Sequence, residues 1–281
     1  LFLMLVGLVV YSLFLPGLPA AARFVFAPHA ESFRVGSVLS ALGQAFFSLS
    51  LGMGAMLTYG SYLPRETGIP KSGVWVAVLD TLIALLSSLV VFPITFSFGM
   101  EPQAGPGLIF QSIPIAFSKM TGGYPLSVVF FVLVVFAAIT SSISLQEVVT
   151  SNFIDLFGWR RRKVSLVTGA IIFVFGIPSA LSSSGTVFGA GLLTPLTGKS
   201  FFDWVDHITA NWMLPLGGLL IAVFAGFVVS GATRSEEFRR GTTWTGLHGI
   251  WLVTLRFLAP LAVFIVLLHS TGFLALVGIE L

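Results

Sequence analysis

Long apolar runs separated by short polar stretches make up most of this chain. Seven of these runs predict membrane-spanning helices, because a hydrocarbon core of about 30 Å requires roughly 20 residues in helical form. The predicted spans are 1–15, 38–62, 73–98, 125–157, 164–181, 204–231 and 249–269. The first run is the shortest and ends at Pro16-Gly17. A further apolar stretch, at about 102–118, is interrupted by prolines and predicts a helical loop outside the membrane.

The composition supports an all-α, polytopic membrane protein with a single transmembrane domain over 1–281. Hydrophobic residues make up 56% of the chain and charged residues only 9%, whereas a soluble domain carries about 25% charged residues. The chain has no cysteine, and its four histidines are scattered, which excludes thiolate chemistry and argues against a transition-metal site. Because neither a nucleophile elbow nor a P-loop occurs, we do not expect an enzyme.

Basic residues lie between the apolar runs, so they indicate topology rather than nucleic-acid binding. Nine of them fall in three loops that share one side, against four on the other side, and this bias predicts that the first group faces the cytoplasm. The nine are Arg65, Lys71, Arg160, Arg161, Arg162, Lys163, Arg234, Arg239 and Arg240. The four are Arg23, Arg34, Lys119 and Lys199.

The chain begins at Leu1, inside an apolar run. A signal peptide is the alternative interpretation of 1–15, but the basic segment that normally precedes such a peptide is missing. We therefore expect a chain that starts near the beginning of a membrane helix.

Two glycines separated by one residue lie in the middle of the second predicted span. Gly52 and Gly54 each weaken a helix by about 1 kcal/mol, and the hydroxyls of Ser48 and Ser50 precede them. A helix broken at this depth frees carbonyls and amides that lipid cannot satisfy. Carbonyl and hydroxyl oxygens suit a hard cation, and a freed helix N-terminus favours a carboxylate. The alternative interpretation is a face of small residues for helix packing.

Other polar residues lie within or beside the predicted spans. Asp80, inside the third span, either binds a cation, relays a proton, or is protonated and bonded to a neighbouring helix. Ala137, Thr140 and Ser141 share about a quarter of the circumference of the fourth span. The hydroxyls offer ligands to sodium or bond back to the helix's own carbonyls. Asp206, at the start of the sixth span, is a gate or an interface residue.

Five segments, in this order along the chain, resemble the neurotransmitter:sodium symporter family, in particular its bacterial amino-acid transporters related to the leucine transporter. They are GQAFFSLSLGMGAMLTYGSY (43–62), AGPGLIF (104–110), FAAITSS (136–142), Asp206 with LPLGG (214–218), and RFLAP (256–260). The resemblance implies that the seven spans are helices five to eleven of a leucine-transporter-like inverted-repeat fold, with the family's broken sixth helix at 38–62. It also implies that helices one to four belong to the same transporter and are missing from this chain.

The resemblance implies a role for each matching residue. The first sodium site would involve Ser48 and Asp80. The second would involve the Ala137 carbonyl with the Thr140 and Ser141 hydroxyls. The implied substrate pocket comprises Phe47, Ser50, Met53, Ser142 and Leu145. The outer gate would involve Gln44 and Asp206, and the unwound segment Gly52 and Gly54.

The implied function is sodium-coupled import of an amino acid across the cytoplasmic membrane of a bacterium by alternating access. A hydrophobic substrate is expected because Phe47, Met53 and Leu145 are apolar. Sodium is the only ion we expect, as the coupling ion, with no organic cofactor and no nucleic-acid partner. The alternative is a non-transporting truncated membrane remnant or scaffold, which keeps the helix packing but cannot cycle.

Overall fold

Helices joined by short turns form the structure, a computed structural model that describes residues 1–27, 33–102, 105–182 and 198–276. Ala104 and residue 103 of the predicted loop at 102–118 lie outside the described residues. The helices are α1 (Phe2–Ser12), α2 (Leu18–Phe26), α3 (Val35–Ser48), α4 (Ala55–Ser61), α5 (Ile69–Ser97), α6 (Ile113–Lys119, preceded by a π-turn at Leu108–Ser112), α7 (Gly123–Phe157), α8 (Arg161–Leu181), α9 (Phe201–Val228), α10 (Gly231–Arg239), α11 (Thr245–Ser270) and α12 (Phe273–Leu276).

The all-helical membrane fold class is confirmed. Within the described residues, α5, α7, α8, α9 and α11 are long and apolar enough to cross a membrane, and α1 and α3 are shorter apolar helices. In α5, α7 and α8 only 6% of the most apolar window is buried. Side chains as apolar as these are stable in lipid but not in water, so the exposed surface suits an integral membrane protein.

The helix boundaries differ from the predicted spans mainly at breaks and turns. The predicted span 38–62 is two helices, α3 and α4, separated by residues 49–54. The first helix ends at Ser12, where the sequence predicted a span to residue 15. The long helices begin a few residues early; α5, for example, begins at Ile69 rather than at residue 73. Hydropathy marks the apolar part of a helix and misses the polar turn that precedes it.

The structure divides into two compact units, one formed by Leu1–Ala30 with Val76–Ile143 and the other by Glu31–Trp75 with Ser144–Leu281. The single transmembrane domain stays a prediction. The first unit has an apolar core in which α1, α5, α6 and α7 meet. Its buried residues are Leu5, Leu8, Val9, Val90, Ile94, Ile113, Ala116, Phe117 and Phe130. Burying side chains of this size stabilises a unit by roughly 1.5–3 kcal/mol each.

In the second unit, α9 packs against both α3 and α11. Short π-helical turns interrupt α9 and α11, and the last turn of α9, Phe224–Val228, leaves carbonyls that the regular ladder does not satisfy. Arg234 is buried there, and its Nη1 donates to the carbonyls of Ala225 (2.9 Å), Gly226 (2.6 Å) and Val229 (3.1 Å). Arg256 Nε also donates to the Gly226 carbonyl, at 2.8 Å. The two guanidinium groups therefore cap the negative end of α9.

Candidate functional site

The break between α3 and α4 is a tight turn with closed hydrogen bonds on its α3 side. The amides of Leu49, Ser50 and Leu51 donate to the carbonyls of Ala45, Phe47 and Phe46 at 3.1, 3.1 and 2.9 Å. On the other side, α4 begins at Gly54 without a side-chain cap. The turn therefore ends one helix and starts the next within six residues, 49–54.

Gly52 is the point of closest approach between this turn and α9. Its φ is +83°, a region that residues with a side chain rarely adopt. A Cβ added at Gly52 would lie 2.3 Å from the Leu214 carbonyl oxygen and 2.9 Å from the Gly218 amide nitrogen. On the α9 side, a Cβ at Gly217 would lie 2.4 Å from the Gly52 carbonyl oxygen. Backbone therefore packs directly on backbone here, which requires glycine on both sides.

Ser50 is the only residue other than glycine with a positive φ in the described residues, at +53°. Such a conformation costs of the order of 1 kcal/mol or more for a serine and occurs most often at functional positions. A sequence alone does not reveal this strain. The positive φ of Ser50 marks the turn as a candidate site independently of the resemblance, which also assigns Ser50 to the substrate pocket.

A cavity of about 530 Å³ lies beside α3 in the second unit, between α3, α9 and α11. It brings together three of the sequence-predicted residues, Gln44, Phe47 and Asp206. The rest of its wall was not predicted, because it comes from three helices that are distant in sequence. These other lining residues are Leu39, Ser40, Gly43, Phe46, Ala210, Asn211, Pro215, Val266, His269 and Ser270.

The cavity combines an acidic side chain with neutral hydrogen-bonding groups and apolar surface. Two hydrogen bonds hold Asn211. Its side-chain Nδ2 lies 2.6 Å from His207 Nδ1, and its backbone carbonyl accepts from Ser270 Oγ at 3.0 Å. Asn211 lies in the π-turn Thr209–Met213, and π-turns within helices are frequent at functional sites. The volume falls within the range of small-molecule sites. This arrangement could admit a ligand that carries a positive group and an apolar side chain.

The predicted second sodium site lies on α7 in the first unit. Thr140 Oγ1 donates to the carbonyls of Phe136 (3.0 Å) and Ala137 (2.9 Å), and Ser142 Oγ donates to that of Ala138 (2.8 Å). These bonds within the helix are one of the two alternatives that the sequence left open. They do not remove the other, because a hydroxyl can donate to a carbonyl and still accept a cation with its lone pairs. The sodium role stays a prediction.

The remaining predicted residues are divided between the units. Ser48, Met53 and Leu145 lie in the second unit, as do both glycines of the break, whereas Asp80 and Ser141 lie in the first. The pairing of Ser48 with Asp80 in a first sodium site, and of Ser142 with the other pocket residues, therefore stays a prediction.

Two tyrosines, one in α4 and one directly after it, contact the second half of α7, and the sequence analysis missed both. Tyr59 Oη donates to Ser144 Oγ, and Tyr62 Oη donates to Glu147 Oε1 at 2.6 Å. The other carboxylate oxygen of Glu147 accepts from Arg161 Nη2, at the start of α8. The signal was the matching spacing. The two tyrosines are three residues apart, and so are Ser144 and Glu147, so each set lies on one helix face. These contacts hold α4, α7 and α8 together.

We expect Glu147→Ala to lower the thermal midpoint of the purified protein in detergent by about 2–4 °C. The change removes the partner of both Tyr62 and Arg161, and the Glu147 side chain is only 16% exposed. The control is Glu236→Ala, whose 68% exposed carboxylate pairs with Arg240 one turn away and contributes little. Equal midpoints for the two variants would show that the α4–α7–α8 contact does not stabilise the protein.

A comparison with known protein families identifies the family of this chain. The family model described as the sodium:neurotransmitter symporter family matches residues 1–274. The chain belongs to this family. Among the relatives of this symporter chain is a sodium-dependent transporter of Bacillus subtilis, YhdH, which is 37% identical over 276 residues, 98% of this chain and 60% of the relative. A sodium-dependent transporter of Haemophilus influenzae is 34% identical over 96% of the chain and 58% of its own length.

A solved structure shows the same fold. The structure of MhsT in complex with L-phenylalanine matches with a TM-score of 0.82 and 38% identity, over 95% of this chain and 60% of MhsT. The sodium-dependent nutrient amino acid transporter 1 of Drosophila melanogaster is 34% identical over 49% of the chain and 23% of the relative. This symporter chain thus spans about 60% of the bacterial proteins to which it is similar. The family consists of transporters, which are not an enzyme class. The long apolar helices and the family together identify this chain as part of an integral membrane protein.

Proposed function

We propose that this chain forms the substrate- and sodium-binding part of a symporter that imports a hydrophobic amino acid across the bacterial cytoplasmic membrane. The observation that carries the proposal is the family match over residues 1–274, combined with the helix break at the family's motif in 43–62. Import is driven by the sodium gradient and proceeds by alternating access. The break supplies backbone groups inside a membrane protein, where only a ligand, protein or water can satisfy them.

The substrate class follows from the side chains around the break. Phe47, Met53 and Leu145 present apolar surface, and methionine adapts its shape to different partners. The structure of the relative MhsT was solved in complex with L-phenylalanine, an apolar amino acid, and this supports such a pocket. Ser50 and Ser142 add hydroxyls for the polar end of the substrate, and Phe47 lies where a lid would separate the pocket from the cavity that it lines with Gln44.

Sodium is the ion that fits the polar residues proposed for coupling. The proposed ligands are oxygens, which hard cations prefer. The first site takes Ser48 and Asp80, and the second takes the Ala137 carbonyl with Thr140 and Ser141. Asp206 and Gln44 gate the cavity of about 530 Å³. The names of the bacterial relatives, sodium-dependent transporters, support the ion.

Uptake by the intact symporter in proteoliposomes tests the proposal. With an inward sodium gradient, we expect accumulation of labelled leucine, at least tenfold above that with a potassium gradient. Unlabelled leucine, tryptophan and tyrosine should compete, whereas glutamate and GABA should not, because the pocket offers apolar rather than charged contacts. Phe47→Ala should reduce uptake severalfold. The matched control is Phe175→Ala, which removes an equally large ring that is 64% exposed on α8.

Each result has a definite meaning for the proposal. Equal uptake with sodium and potassium gradients contradicts sodium coupling. Competition by glutamate and GABA alone contradicts the hydrophobic substrate but leaves coupling in place. A symporter that folds and shows no uptake of any amino acid favours the alternative function, a membrane scaffold without transport.

A further inference from the structure

The connection between α7 and α8 has to lie at a membrane surface. Both helices are apolar spans, α7 ends at Phe157, and α8 begins at Arg161, so only three residues join them. Gly158, with a φ of +64°, turns the chain sharply there, and its amide donates to the Ile154 carbonyl at 2.9 Å. The side chains around this turn therefore remain at the boundary between hydrocarbon and headgroups.

Exposed apolar and basic side chains occur together at this turn. Leu156, Phe157 and Trp159 are 73%, 62% and 39% exposed, although the Phe157 and Trp159 rings also pack on Phe153 at 5.4 and 5.5 Å. We call the exposed surface the basic–aromatic patch, which consists of Leu156, Phe157, Trp159, Arg160, Arg162 and Lys163. Aromatic rings of this kind favour the interface, where one edge meets lipid and the other meets water.

Three cations of the patch lack an acidic partner among the residues that the structure describes. Arg160, Arg162 and Lys163 are exposed, and in the part of the chain that the structure describes none of them forms an ion pair. Lys163 Nζ lies 4.6 Å above the Trp159 ring, so this cation and this aromatic ring are held together within the patch. Arg161 is different, since Glu147 binds it.

The start of α8 adds to this positive potential. Cations are unfavourable at a helix N-terminus, where acidic residues normally lie. The first turn of α8 nevertheless contains Arg161, Arg162 and Lys163, with no acidic residue and no side-chain cap at Arg160. An anion from outside the chain would offset both the cations and the helix dipole. The location favours the bilayer as its source, because lipid phosphate groups lie at the ends of membrane-spanning helices.

We propose that the basic–aromatic patch binds the headgroup of an anionic phospholipid from the leaflet that it faces. Arg160, Arg162 and Lys163 contact the phosphate and the net negative charge of the headgroup, and Leu156, Phe157 and Trp159 contact the upper part of the acyl chains. The charge favours an anionic lipid over a zwitterionic one, roughly fivefold per cation at a membrane surface. The patch thereby anchors the connection between α7 and α8 to the membrane surface. Arg161, which follows this connection, is bound to Glu147 of α7.

Lipid binding to the intact symporter tests the inference. The detergent-purified protein is titrated with phosphatidylglycerol or phosphatidylcholine, and the thermal midpoint and the lipid retained in native mass spectrometry are measured. Phosphatidylglycerol should raise the midpoint and be retained, whereas phosphatidylcholine and inorganic phosphate should do neither. Arg160→Gln/Arg162→Gln/Lys163→Gln should raise the phosphatidylglycerol concentration for half the shift at least tenfold. This variant keeps Arg161 and its bond to Glu147.

The matched control is Arg65→Gln/Lys71→Gln/Arg239→Gln, which removes three exposed cations predicted to face the same side but lying outside the patch. The control should respond to phosphatidylglycerol as the unmodified protein does. An equal loss in both triple variants would overturn the inference, because it would show attraction to net charge rather than a site. A shift with inorganic phosphate, or no response to phosphatidylglycerol, would overturn it too, and the latter would favour an acidic protein partner.

Discussion

Replacing Gly52 with alanine is expected to reduce sodium-driven uptake by the intact symporter at least tenfold. The residue has a φ of +83°, which costs an L-residue about 1–2 kcal/mol. The new methyl group would also lie 2.3 Å from the Leu214 carbonyl oxygen, so α9 or the turn must move, at a further cost of about 1–3 kcal/mol. Uptake of labelled leucine in proteoliposomes measures the effect.

Gly60→Ala is the control for Gly52→Ala. Gly60 lies inside α4, and a Cβ there would meet nothing within 4 Å. Alanine should therefore be neutral or slightly stabilising, since it favours a helix by about 0.5–1 kcal/mol over glycine. Gly217→Ala provides the reciprocal test, because its Cβ would lie 2.4 Å from the Gly52 carbonyl oxygen. Unchanged uptake by Gly52→Ala would show that the close packing of the turn on α9 is dispensable.

The glycines marked the place of the helix break, but they also fitted a helix-packing face, and the resemblance to the family favoured the break. Glycine is rare in the interior of a helix unless a turn or a close approach requires it, and the turn at Gly52 and Gly54 has both. Spans such as α5 and α7 followed from hydropathy alone, since lipid requires long apolar helices. These features are local, so a single sequence contains the information that they need.

The features that the sequence did not predict all depend on tertiary contacts. Tyr62 meets Glu147 across 85 residues, and hydropathy contains no information about which helix faces which. Asn211 and His269 line the cavity from different helices for the same reason. The positive φ of Ser50 lies in the turn between α3 and α4, and a serine in a sequence does not indicate such a conformation. Hydrophobic pattern defines the elements, whereas packing defines the site.

A threonine hydroxyl in a membrane helix has two possible uses, as a ligand for sodium and as a donor to its own helix. In a membrane helix, a threonine hydroxyl that bonds to the carbonyl four residues earlier satisfies itself without any ligand. Thr140 makes such a bond to Phe136 at 3.0 Å, and Thr81 makes the same bond to Ala77 at 2.9 Å. Both hydroxyls therefore bond to the carbonyl four residues earlier, and Thr140 bonds in addition to the Ala137 carbonyl. Only Thr140 lies in the segment that resembles the family's sodium site, so a comparison of the two isolates ion binding.

Thr140→Val is expected to raise the sodium concentration for half-maximal uptake at least tenfold, a loss of about 1.4 kcal/mol in ion binding. Valine keeps the branched shape and removes the oxygen. Thr81→Val removes the same hydroxyl-to-carbonyl bond from α5, so it should leave the sodium response unchanged while costing equal stability. If the two variants respond to sodium alike, the Thr140 hydroxyl only bonds to its own helix. If only Thr140→Val shifts the response, its oxygen binds the coupling ion, because Thr81→Val removes the same bond to the carbonyl four residues earlier.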